Sequence, residues 1–102
     1  MYVVLCNCPP DHAPALARAL VDKRLAACVN LIPAVKSIYR WQGEIVDDVE
    51  TTLLIKSAAD PGALEAAIVE LHPYSVPEIV VLPVDATHSH GPYLDWVRAM
   101  SG

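Results

Sequence analysis

Apolar positions along this chain switch between a period of two and a period near 3.6, and each switch predicts a boundary between elements. "YVVLCNC" (Tyr2–Cys8) is apolar and β-branched and is stopped by Pro9-Pro10, which predicts a buried strand. Asp11 is the expected cap of a first helix, with Leu16, Ala19, Leu20 and Lys23 at helical spacing. "CVNLIPAVKSIYRW" (Cys28–Trp41) alternates, placing Val35, Ser37, Tyr39 and Trp41 on one side. Pro33 cannot donate to a ladder, so a bulge or bend is expected there. A turn at Gly43 leads into a second long strand, "IVDDVETTLLIKS" (Ile45–Ser57).

Asp60-Pro61 predicts a helix start, with Leu64, Ile68 and Leu71 as its buried stripe. Proline disfavours helical geometry in the residue before it, so His72-Pro73 ends that helix. "EIVVLPV" (Glu78–Val84) reads as a fourth strand, and Tyr93, Leu94, Trp96 and Val97 mark a short last helix. The order strand, helix, strand, strand, helix, strand is the split βαβ pattern. It predicts a ferredoxin-like α+β sandwich, a four-stranded antiparallel sheet with two helices on one face and an extra C-terminal helix. Two strands this long outrun the core of a small subunit, and the uncovered sheet face is too apolar for water. Self-association is therefore expected.

Composition narrows the partners. The chain has 102 residues, enough for one domain spanning 1–102 with its own core. Its formal net charge of −5 argues against nucleic acid or an anionic membrane as partner. No apolar run is long enough to span a bilayer and no signal peptide is legible at the N-terminus, so the expected address is cytoplasmic. Three cysteines in that setting make a disulfide framework unexpected. No nucleophile–base pair, Walker A or H-E-x-x-H string is present, and an enzyme is not expected.

Each candidate site has a structural alternative. The C-x-C spacing of Cys6 and Cys8 is expected to turn the two thiols to opposite strand faces, a poor chelate, with at least one acting as a small buried hydrophobe. Cys28 is expected in the core. His72 is pinned by the helix end, Pro73 and Pro77. It is read either as a soft-metal ligand reached by Cys6, or as a helix-terminal histidine bonded to a carbonyl. His88-Ser89-His90 is expected to be a solvated loop. Glu44, Asp47, Asp48 and Glu50 are expected to be split by alternation into a solvated strand edge. Tyr39, Trp41, Lys56 and Glu78 describe a small-anion or zwitterion pocket, and equally an oligomer interface.

The strings "LAACVN", "SIYRWQGEI", "LLIKS", "HPYSVPEIVVLPV" and "YLDWV" resemble the CutA family of divalent-cation tolerance proteins, in order from Val4 to about Val97. The resemblance implies a very stable homotrimer of ferredoxin-like subunits, similar to the PII signalling proteins that hold small ligands between subunits. It also implies copper tolerance and heavy-metal binding without an organic cofactor. Cys6 and His72 match positions associated with copper in the family. Tyr39, Trp41, Lys56, His72, Pro73, Tyr74, Pro77 and Glu78 match the cleft positions. Leu71 stands where some relatives supply a second histidine, and Ser75 where a longer polar side chain is common. The first expectation is a trimer binding copper or another divalent ion through Cys6 and His72. The second is a PII-like sensor that takes a small anionic metabolite in a cleft of Tyr39, Trp41, Lys56, Tyr74 and Glu78.

Overall fold

The computed structural model describes all residues, Met1–Gly102. Its elements are β1 (Tyr2–Cys8), α1 (Ala13–Asp22), β2 (Cys28–Trp41), β3 (Glu44–Ser57), α2 (Pro61–Leu71), β4 (Val80–Pro83) and α3 (Gly91–Ser101). The sheet runs β2-β3-β1-β4 and every pairing is antiparallel, the expected ferredoxin-like order. Tyr2, Val4, Cys6 and Cys8 of β1 and Leu53 and Ile55 of β3 pack beneath Leu16, Leu20, Leu64 and Ile68 of α1 and α2. Cys6 and Cys8 therefore share one face and are both fully buried. The opposite-face expectation was an error of period, since residues two apart in a strand point the same way.

The β2–β3 hairpin sets the shape. Trp41 pairs with Glu44 across a two-residue turn in which Gln42 and Gly43 both have positive φ, as a type I′ turn demands. Register slips between Ile32 and Val35, at the expected bulge around Pro33, where Ala34 takes φ 58°. Strands of 14 residues at about 3.3 Å per residue account for the 45 Å long axis. β1 pairs with β3 only over Thr51–Ser57, so the distal hairpin is a two-stranded ribbon outside the sheet proper.

Several boundaries differ from expectation. His12, with no side-chain bond to the helix, occupies the cap position of α1, and Asp11 instead bonds the His12 ring. Leu71 is 39% exposed and leaves the buried stripe to Leu64, Ala67 and Ile68. β4 begins at Val80, because Glu78 belongs to the loop that Pro73 and Pro77 stiffen. Asp60 does cap α2, its carboxylate accepting from the Ala63 N–H at 3.0 Å. Asp60→Ala is expected to lower stability by about 1 kcal/mol, read as a shifted urea midpoint at unchanged slope.

The sheet face away from the helices carries Val3 and Leu5 on β1, Leu54 on β3, Ile32 on β2, and Val80 and Leu82 on β4. Ile32, Val80 and Leu82 are each more than 40% exposed. No helix is long and apolar enough to cross a membrane.

Candidate functional site

The short β4 leaves an unpaired edge. It reaches only Tyr2–Leu5 of β1, so the C-terminal end of β1 lacks a ladder partner on that side. The α2–β4 loop fills the gap with a side chain. His72, at the C-cap of α2 with extended backbone, has its ring Nε2 2.8 Å from the Asn7 carbonyl oxygen. Its Nδ1 lies 3.1 Å from the Tyr74 amide and accepts that N–H, so the fitting tautomer carries its proton on Nε2 and donates it to Asn7. The Cys6 Sγ reaches the same carbonyl oxygen at 4.0 Å. A thiol and an imidazole thus converge on one backbone oxygen at the end of β1.

That thiol is held protonated. Burial, followed by the nearby Cys8 sulfur and the Glu78 and Glu50 carboxylates, pushes Cys6 up to about 12. Burial pushes Cys8 up to about 11. No group of three or more His, Cys, Asp or Glu side chains is placed to hold a metal ion. Cys6 with His72 therefore offers two donors and a carbonyl oxygen, a set suited to a soft, low-coordinate ion rather than a hard or tetrahedral one. Cys28 is only partly buried, and His88 pairs with Asp85 at 2.8 Å on the surface.

On the opposite sheet face the same loop borders a cleft of about 740 Å³ against the distal hairpin. The hairpin register sets Ser37 against Asp48 and Val35 against Glu50, so the aromatic side of β2 and the acidic side of β3 line one wall. Tyr39 and Trp41 stand on that wall, while Tyr74, Pro77 and Glu78 close it from the loop. Tyr74 donates its hydroxyl to Glu50 Oε2 at 3.1 Å, and Asn7 donates its amide to Glu78 Oε1 at 3.4 Å. Glu50 is only 5% exposed, which corrects its place on a solvated edge. Desolvation first, and Glu50 second, raise Glu78 above the usual carboxylate range.

Within the single subunit, Tyr39, Trp41, Tyr74 and Glu78 of the five expected cleft residues come together and Lys56 stands apart, whereas the resemblance places the cleft between subunits. Lys56 lies near the far end of β3, bonded to the Asn30 side chain and lining a smaller hollow with Tyr2 and Tyr93. Sequence reasoning did not single out Asn7, and it read Asp48 and Glu50 as a solvated strand edge rather than as cleft residues. Counting outward from the two-residue turn at Gln42-Gly43 would have put Asp48 opposite Ser37, beside Tyr39.

Residues 2–100 match the model of the CutA1 divalent ion tolerance protein family. The chain is 48% identical to the "Divalent-cation tolerance protein CutA" of Thermus thermophilus, covering 98% of this chain and 97% of that relative. It is 46% identical to the human "Protein CutA" over 93% of its own length, and spans about half of that relative (53%). The solved "PII-like protein CutA from Nostoc sp. PCC 7120 in apo form" superposes with a TM-score of 0.94 at 43% identity, covering 100% of this chain and 98% of that one.

Proposed function

Since the chain belongs to the CutA1 divalent ion tolerance protein family, we propose that it is a cytoplasmic homotrimer that captures copper ions, or another thiophilic metal ion, through Cys6 and His72. The observation that carries this reading is the convergence of the Cys6 sulfur and the His72 Nε2 on the Asn7 carbonyl. The metal is cargo, and the role is binding rather than catalysis. Capture displaces the thiol proton, moves the ring proton from Nε2 to Nδ1 and breaks the bond from the Tyr74 N–H. Thiolate donors favour Cu(I), so Cu(I) is the ion best matched to the site.

A pH dependence follows from the raised thiol. At every pH below about 12 the free protein keeps the Cys6 proton, and each ion bound releases one. Affinity for Cu(I) is therefore expected to rise about tenfold per pH unit between about pH 6 and pH 8, measured by competition against a chelator of known affinity. A flat profile would contradict thiol ligation.

A second reading is favoured by the cleft itself. A concave site of about 740 Å³ walled by Tyr39, Trp41 and Tyr74 fits a small organic ligand, in line with a PII-like sensor of a small metabolite. The anionic ligand expected from the sequence needs Lys56, and in the single subunit Lys56 is absent from this cleft.

A further inference from the structure

We propose that metal capture at Cys6 and His72 reshapes the cleft through Tyr74, so that each site biases the other. The inference rests on the metal-binding reading and extends it to the cleft. Two residues belong to both places. Tyr74 gives its backbone N–H to His72 Nδ1 at 3.1 Å and, on the cleft wall, its hydroxyl to Glu50 Oε2 at 3.1 Å. Asn7 offers its carbonyl oxygen to His72 Nε2, while its side-chain amide donates to Glu78 Oε1 at 3.4 Å, both side chains lining the cleft. The Tyr74 phenol also packs on the imidazole, with ring centroids 4.7 Å apart. All these contacts are made within one subunit.

The imidazole cannot take an ion and keep both neighbours. A metal on Nε2 displaces the proton that the Asn7 carbonyl accepts, and the neutral ring then carries its proton on Nδ1. The Cys6 thiol proton leaves to water, and no electron is transferred. The Nδ1–H and the Tyr74 N–H, two donors, are left facing each other. A metal on Nδ1 would instead take the lone pair that the same N–H uses. Either way the Tyr74 amide loses its acceptor beside a buried ring, which is costly unless residue 74 moves. Pro73 and Pro77 stiffen the loop, so the movement is carried to the phenol rather than absorbed. Tyr74 then leaves Glu50, and the wall it shares with Trp41 shifts. Linkage makes the effect reciprocal: loosening Tyr74 from Glu50 favours the metal-bound state.

The reduced, full-length protein labelled with nitrogen-15 is titrated with Ag(I), a redox-inert thiophilic ion, and native mass spectrometry counts the ions bound. One ion per subunit is expected to shift the Tyr74 amide and the Trp41 indole N–H together, and to speed hydrogen exchange at the Tyr74 amide about tenfold. The indole of Trp96, on α3, is expected to stay in place. Tyr74→Phe removes the bond to Glu50 and keeps the amide, so it is expected to tighten Ag(I) at least about threefold. Tyr93→Phe, on α3, should leave affinity unchanged. A merely structural Tyr74 would leave affinity unchanged or weaken it. Should Tyr74→Phe fail to fold, the Tyr74 amide and Trp41 indole of the wild type still decide. Ag(I) bound through Cys6 with both signals unmoved would overturn the coupling and keep the metal site. No ion bound, or binding untouched by Cys6→Ala, would overturn both.

Discussion

Ile32→Glu combined with Leu82→Glu is expected to convert the proposed assembly of three 11.0 kDa chains to a folded monomer. Both residues sit on the sheet face that the helices leave bare, at 42% and 44% exposure, one on each edge strand. In a lone subunit a carboxylate there stays in water and costs little. In an assembly closed over this face it would be buried without a partner, at about 3–5 kcal/mol per site and subunit. Sedimentation equilibrium reads the outcome directly, and circular dichroism checks that the monomer keeps its fold. A variant still three chains in mass would show that the assembly uses another surface. The physical case for assembly is that large aliphatic side chains continue across β1, β2, β3 and β4 on that face, with a two-stranded ribbon beyond them that is marginal alone.

Removing the sulfur is the second large effect. Cys6→Ala is expected to lower Cu(I) affinity at least about a hundredfold, since it deletes the only soft donor of the pair, and second-sphere losses alone are worth about 10–100-fold. Stability should fall by only about 1 kcal/mol, because the thiol packs as a small hydrophobe within the core cluster. His72→Ala should also lower affinity, but at a larger structural cost of about 2–3 kcal/mol. It leaves the Asn7 carbonyl and the Tyr74 amide without their partner at the unpaired end of β1. The contrast is diagnostic: binding lost in Cys6→Ala with stability nearly intact marks a ligand, whereas unchanged binding in Cys6→Ala would leave both residues purely structural.

The fold was legible where side-chain choice is dictated locally. Pro33 announced the bulge, Gly43 the turn, and Asp60-Pro61 the second helix, because each residue type is forced by backbone geometry or an orphan amide. The strand pattern was legible for the same reason, down to the limits of β2. Positions set by tertiary contacts were not. His12 displaced Asp11 at the start of α1, and Leu71 ended outside the stripe because α2 stops where it does. The site was half legible. His72 and the proline-stiffened loop could be seen to be fixed in place. That they mend a missing β4 pairing depends on the length of β4, which the apolar run Glu78–Val84 overstated. Lys56 was grouped with Tyr39 by residue type and strand-end position, and within one subunit the hairpin register holds the two toward opposite ends of the ribbon, so only a cleft shared between subunits would join them.

Native mass spectrometry of the reduced protein titrated with Cu(I) tests the central claim most directly. One Cys6–His72 pair per subunit predicts an assembly of three chains that takes up three ions at low excess and stops there. An assembly that stays metal-free under the same titration would contradict the claim and leave the acidic, aromatic cleft as the site through which the protein works.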